Sequence, residues 1–236
     1  MSSPALLFEI GMEECPARFV PQARADFERL LREGLSEARL AYAGVQSYAT
    51  PRRLAAVVTG LAERQADLET EIKGPSARIA FNEDGSPTRA AAGFAANQGV
   101  GVDELVVKEA GGARYVFAVK REQGKSAAEV LPGVLRRVVE SMRFPKSMRW
   151  NDSGLRFARP IRWLVALLDE RVVEFEIGGV RSGNVTLGHR FLGDGAIPIG
   201  HALDYAAVLL ERGKVIADVD ARREAVRSQV EAAAAA

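Results

Sequence analysis

One cysteine, Cys15, and two histidines far apart, His189 and His201, are all the soft donors that 236 residues supply. A single thiol excludes a disulfide framework and points to a reducing compartment. With so few donors, a structural zinc site is not expected either. Long apolar runs are also missing. Met1-Ser2-Ser3-Pro4 puts no basic segment before a short apolar stretch that ends at Glu9, and no stretch approaches the length that spans a bilayer. The sequence therefore reads as cytoplasmic, without a signal peptide. A phosphate-cradling glycine loop is absent too: Gly99-Val100-Gly101 lacks the further glycines and the strand-before-helix context of such motifs. Finally, the chain carries no excess of either charge, with 32 Lys/Arg against 31 Asp/Glu. Its 47% hydrophobic and 27% charged content is that of an ordinary globular chain, long enough for one large domain or two small ones.

Helical and strand patterns alternate without an internal repeat. Ala5 to Ile10 predicts a strand and Phe19 to Ala41 a helix entered through Pro16, with Phe27, Leu30, Leu31 and Leu35 at helical spacing. Two short strands, 45–49 and 54–60, flank Thr50-Pro51-Arg52-Arg53. A polar passage through Lys73-Gly74-Pro75 to Gly85 reads as loop, and Thr88 caps a small-residue helix that stops at Gly99. Gly111-Gly112 marks a hairpin. Ser126 and Glu129 form a capping box for an amphipathic helix to Met142, and Pro132 falls within its first two turns. Strands 161–168 and 172–177 turn at Asp169-Glu170-Arg171, and glycines make 183–195 loop-rich. Helices follow from Ala202 and from Asp218. The last one runs to Ala236 without a C-cap, as expected of a piece of something longer or of a frayed end.

Against the neutral background, charge is concentrated in one place. From Arg136 to Trp163, eight cations (residues 136, 137, 143, 146, 149, 156, 159 and 162) face two acids, Glu140 and Asp152, while the whole chain is only +1. Interleaved with Phe144, Trp150, Phe157 and Trp163, such a run suits phosphates and unstacked bases; equally, arginine stems can cover half-buried rings. Support for catalysis is thin. Glu13-Glu14 follows a strand, where adjacent side chains point apart, and His189 in Gly188-His189-Arg190-Phe191 has no implied nucleophile or carboxylate beside it. A hydrogen-bonding structural role fits His189 better. Cys15 reads as a small apolar core residue.

Leu7-Phe8-Glu9-Ile10-Gly11-Met12-Glu13-Glu14-Cys15-Pro16 resembles the E-I-G-T-E-E-L-P opening of the β subunit of bacterial tetrameric glycyl-tRNA synthetase. Thr50-Pro51-Arg52-Arg53-Leu54, Lys73-Gly74-Pro75, Pro145 to Trp150, Phe157-Ala158-Arg159-Pro160, Gly188 to Phe191 and Arg212 to Asp218 follow in that family's order. Met12 and Cys15 depart from it. The resemblance implies an α+β fold: a B3/B4-like domain over 1–200, with a mixed or antiparallel sheet and packed helices. A helical linker would begin at 201–236, ahead of HD-type and anticodon-binding domains that this chain lacks. It further implies a non-catalytic part of a glycine–tRNA ligase. Its partners would be tRNA-Gly and the catalytic α subunit of an α2β2 tetramer, through which ATP and Mg are used. Arg143, Lys146, Arg149, Trp150, Arg159, Arg162, His189, Arg190, Arg52 and Arg53 are the candidates for contacting tRNA or the α subunit. Between those two partners the sequence does not choose. A free-standing RNA-binding module and a hydrolase of mischarged tRNA are the alternatives.

Overall fold

The computed structural model describes residues 3–235; Met1, Ser2 and Ala236, which carry the ends of the leader pattern and of the uncapped helix, lie outside them. The chain opens with strand β1 (Leu6–Met12), a 3-10 turn over Ala17–Phe19 and helix α1 (Val20–Glu37), then β2 (Gly44–Thr50) and β3 (Arg53–Thr59). A stretch of β4 (Leu68–Ser76), α2 (Ala77–Ala80), α3 (Arg89–Gln98), β5 (Val106–Ala110) and β6 (Ala113–Glu122) comes next. Helix α4 (Ala127–Ser141) and strands β7 (Ile161–Leu168), β8 (Arg171–Val172), β9 (Glu176–Ile177), β10 (Val180–Gly183), β11 (Val185–Leu187) and β12 (Ala196–Pro198) follow. Helices α5 (Tyr205–Glu211) and α6 (Val219–Ala235) end the chain. The fold is α+β, as the resemblance implied.

Two compact units result: residues 66–124, and a larger one built from 1–65 and 125–236. Residues 201–235 thus belong to the larger unit. The smaller unit is an antiparallel sheet in the order β4-β6-β5, with Ala80, Ala91 and Val116 buried at its centre. The passage read as loop around Lys73 is strand here, because β6 supplies a complete ladder from Leu68↔Glu122 to Lys73↔Phe117. Side-chain alternation carries no signal for a strand in which no residue is buried.

In the larger unit the sheet order is β2-β3-β1-β7-β10-β9, with β8 also pairing β7; only β7 and β10 run parallel. Within the glycine-rich stretch 183–195, β11 forms a two-stranded sheet with β12. Every residue of β1 is buried because both faces of the sheet are covered. Leu6, Phe8, Ile10 and Met12 face a core shared with Phe27, Leu31 and Leu35 of α1 and Leu131, Leu135 and Val138 of α4. Met12 and Cys15, the two departures from the family opening, both sit in this core. Leu7, with Trp163, Val165 and Leu167, faces a second core closed by Ile199, Tyr205 and Leu209. Strand periodicity puts Glu9 and Arg53 on this second side, among apolar neighbours.

Candidate functional site

Glu9 is fully buried and Arg53 is 1% exposed. Glu9 Oε1 accepts hydrogen bonds from Trp163 Nε1 at 3.1 Å and Thr186 Oγ1 at 2.9 Å, and lies 3.2 Å from Arg53 Nη1. Arg53 also donates to Thr186 Oγ1 and to the Leu187 carbonyl, tying β3 to β11. Burial pushes the Glu9 carboxyl above its ordinary pKa; Arg53 and then the Thr186 and Trp163 donors pull the other way. Tyr205 is buried beside the pair, and desolvation followed by the Glu9 charge holds its phenol far above its ordinary value. Its hydroxyl and Glu9 Oε2 form no geometrically complete hydrogen bond with any described group. Gly11 makes the arrangement possible. Register places it between Arg53 on β3 and Trp163 on β7, and a Cβ there would lie 1.9 Å from the indole. Without a Cβ, the Trp163 ring lies across β1, with the guanidinium carbons of Arg52 and Arg53 each 5.6 Å from its centre.

Beside this network opens a cleft of about 450 Å3. Its walls come from segments distant in sequence: Glu14, the Thr50–Arg53 turn, Gly188–Phe191, Lys214–Ile216, and Arg222 from α6. Glycines let these loops approach closely: a Cβ at Gly188 would lie 2.9 Å from Gly213 Cα, and the His189 amide donates to the Gly213 carbonyl at 2.7 Å. His189 Nδ1 accepts from the amides of Phe191 and Leu192, both at 3.2 Å, which puts a neutral ring's proton on Nε2 and makes His189 the organiser of its own loop. Arg222 donates to the carbonyls of Ile216, Ala217 and Ala49; burial lowers its pKa against the opposing pull of Asp218. Arg52 is half-buried, its Nε has no acceptor among the described residues, and burial, then Arg190 and Arg53, lower its pKa.

The basic run splits into two behaviours. Arg162 and Arg190 converge on Glu13, at 3.1 and 3.5 Å, and Arg159 Nε donates to the Glu14 carbonyl at 3.1 Å. The Glu13-Glu14 pair thus anchors three arginines from two segments. Further along, Arg143 donates to the carbonyls of Glu140 and Met142 at the end of α4, and Arg156 donates to Ser147 Oγ. Lys146 and Arg149 are exposed and form no ion pair with a described residue. Lys146 and Arg159 border a smaller cleft of about 250 Å3 with Arg18, Phe19 and Met148. Trp150 is only partly exposed and packs against the main core, near Gly178, so its ring lies beneath the loop rather than displayed above it. Phe144 meets Phe157 edge-on at 4.7 Å.

Of the ten sequence candidates, Arg52, Arg53, His189 and Arg190 come together at the larger cleft, and Arg159 and Arg162 join them through Glu13 and Glu14. Arg143, Lys146, Arg149 and Trp150 lie on the segment after α4. Sequence reading missed Glu9, Thr186 and Tyr205 of the network, and Lys214 and Arg222 of the cleft. Glu9 carried a visible signal, a carboxylate within an apolar strand, and Lys214 lay inside the Arg212 to Asp218 match. No cluster of three or more His, Cys, Asp or Glu suited to a metal occurs among the described residues, and none of their helices is long and apolar enough to cross a membrane.

Fold and site thus define an α+β protein whose buried acid–arginine pair supports a cationic cleft. The profile of the family described as glycyl-tRNA synthetase beta subunit matches residues 6–236. The chain is similar to the glycine–tRNA ligase beta subunits of Desulforudis audaxviator, 50% identical over 98% of this chain, and Moorella thermoacetica, 48% over 95%. That of Clostridioides difficile is 43% identical over 95% of the chain. The chain spans about a third of these relatives' length, from 32% to 33%. It belongs to the glycyl-tRNA synthetase beta subunit family and corresponds to the N-terminal portion of such subunits.

Proposed function

We propose that this chain serves a glycine–tRNA ligase as a non-catalytic tRNA-binding part of the β subunit, partnered by a catalytic α subunit in an α2β2 assembly. On this reading ATP and Mg act at the α subunit, and the assembly works in the cytoplasm. The observation that carries the tRNA role is the uncompensated charge of the run after α4. Arg143, Arg156 and Arg159 donate to neutral groups, while Lys146 and Arg149 pair with no carboxylate among the described residues. On α1, by contrast, Arg29 pairs with Glu33 and Arg32 with Glu28, each at 2.8 Å. A segment whose cations are left without counter-charges suits a polyanion.

The test is binding of tRNA-Gly across a salt series, comparing the chain with a variant in which Lys146, Arg149, Arg159 and Arg162 are alanine. Removing one phosphate contact should flatten the log–log salt slope by roughly 0.7 to 0.9. An unchanged slope, with α-subunit association weakened instead, would reassign the face to the subunit interface.

A further inference from the structure

We infer that the larger cleft is a binding site for a single nucleotide unit, with its phosphate held by Arg52, Arg190 and Lys214 and its base laid against Phe191. The inference deepens the tRNA reading and rests on it for the natural source of that nucleotide, but its chemistry is argued from the cleft alone.

The charges come first. Arg52 presents a buried Nε–H without an acceptor among the described residues, and repulsion from its cationic neighbours Arg190 and Arg53 outweighs the pull of the Glu13 and Glu14 carboxylates on it. Arg53 is engaged by Glu9, Arg190 must share Glu13 with Arg162, and Lys214 Nζ donates to the neutral Glu211 carbonyl. Like charges held together around an unmet donor are relieved by an incoming anion, and the charge-assisted bonds it makes are the strong kind. Lys214 is held at φ 53°, a conformation unusual for lysine that persists only where its surroundings impose it.

Shape then narrows the ligand. At about 450 Å3 the cleft falls within the range of small-molecule sites and is larger than a bare phosphate requires. Val215 and Ile216 line it beside the cations, and Phe191 stands at its rim 84% exposed. One protein carboxylate would answer one arginine and leave this apolar surface uncovered. A nucleotide brings both an anion and a flat ring, and aromatic side chains stack bases without regard to sequence.

The experiment measures equilibrium binding of AMP, adenosine, inorganic phosphate and a labelled single-stranded RNA hexanucleotide to the 236-residue chain, with a polyglutamate peptide as competitor. Lys214→Gln and Phe191→Ala alter exposed side chains, and thermal unfolding of both variants checks that they fold like the parent. Each is expected to weaken nucleotide binding by about tenfold, the scale of one charge-assisted contact or one stacked base. AMP is expected to bind more tightly than adenosine or phosphate alone. If AMP binds as well as RNA, the natural ligand is a free nucleotide; if only RNA binds, it is a nucleotide within a strand; both support the site. Unchanged binding in both folded variants, equal affinity for adenosine and AMP, no binding of AMP or RNA to the parent, or tighter binding of the peptide than of RNA would each overturn it. The four-alanine variant keeps Arg52, Lys214 and Phe191, so an unaltered tRNA slope there refutes the basic face without touching this result.

Discussion

Glu9 and Arg53 form a pair that neither residue could occupy alone. Taking both charges from water costs several kcal/mol per ion, recovered only while the partner and the Thr186 and Trp163 donors are in place. Arg53→Met should therefore destabilise the chain at neutral pH by about 3–5 kcal/mol, read from urea unfolding. The pH dependence has a definite sign. Burial raises the folded pKa of Glu9 above its unfolded value near 4.5, so between the two the native state binds more protons. That contribution to stability is complete below the unfolded value and is lost as pH rises through the folded one. Glu9→Gln should remove it: the stability difference between parent and variant should drift in the variant's favour as pH rises from 4.5, then level off. A difference independent of pH would show that Glu9 titrates normally. In the sequence Glu9 was visible only as the polar end of an apolar run, because nothing local names the arginine 44 positions later that meets it.

At the level of elements, Gly11 and Trp163 are two halves of one fit. Gly11→Ala puts a methyl group into the indole, and overpacking of this kind costs about 1–3 kcal/mol. Trp163→Leu in the same chain should return part of that loss, giving a positive interaction in a double-mutant cycle; strict additivity would mean that the ring simply moves aside. Helices were the most legible elements. The Ser126–Glu129 capping box, the Thr88 cap and left-handed Gly99 at φ 71° all stand where the sequence put them, since caps act within a few residues. The hairpin at Gly111-Gly112 was equally local. Strand β4 was not: its Gly-Pro segment has the composition of a turn, and only the ladder to β6 makes it a strand.

Across the whole molecule, the chain leaves and re-enters the larger unit at neighbouring points. The Gln65 amide donates to the Lys125 carbonyl at 2.8 Å, and Arg64 bridges to Ser126. Replacing residues 66–124 with Gly-Gly should then leave a chain that unfolds in one cooperative urea transition and keeps the salt slope of its tRNA binding. Failure to fold would mean that the larger unit depends on the smaller for its stability. The sequence patterns gave no hint of this division, because a unit boundary follows from which contacts close on themselves, not from composition.

Local and near-local information thus sufficed for the longer helices, the caps, strands β1, β2, β3 and β7 of the central sheet, the concentration of positive charge and the family resemblance, all set by spacing, side-chain type or motif order along the chain. The single strand expected over 172–177 is instead two short ones, β8 on β7 and β9 on β10, and β10 itself had no signal. Tertiary structure alone decided that Glu13 gathers Arg162 and Arg190, that Trp150 packs inward, and that three loops between Thr50 and Ile216 enclose one cationic cleft. Those outcomes depend on sheet order and register, which bring together residues that no pattern along the chain connects.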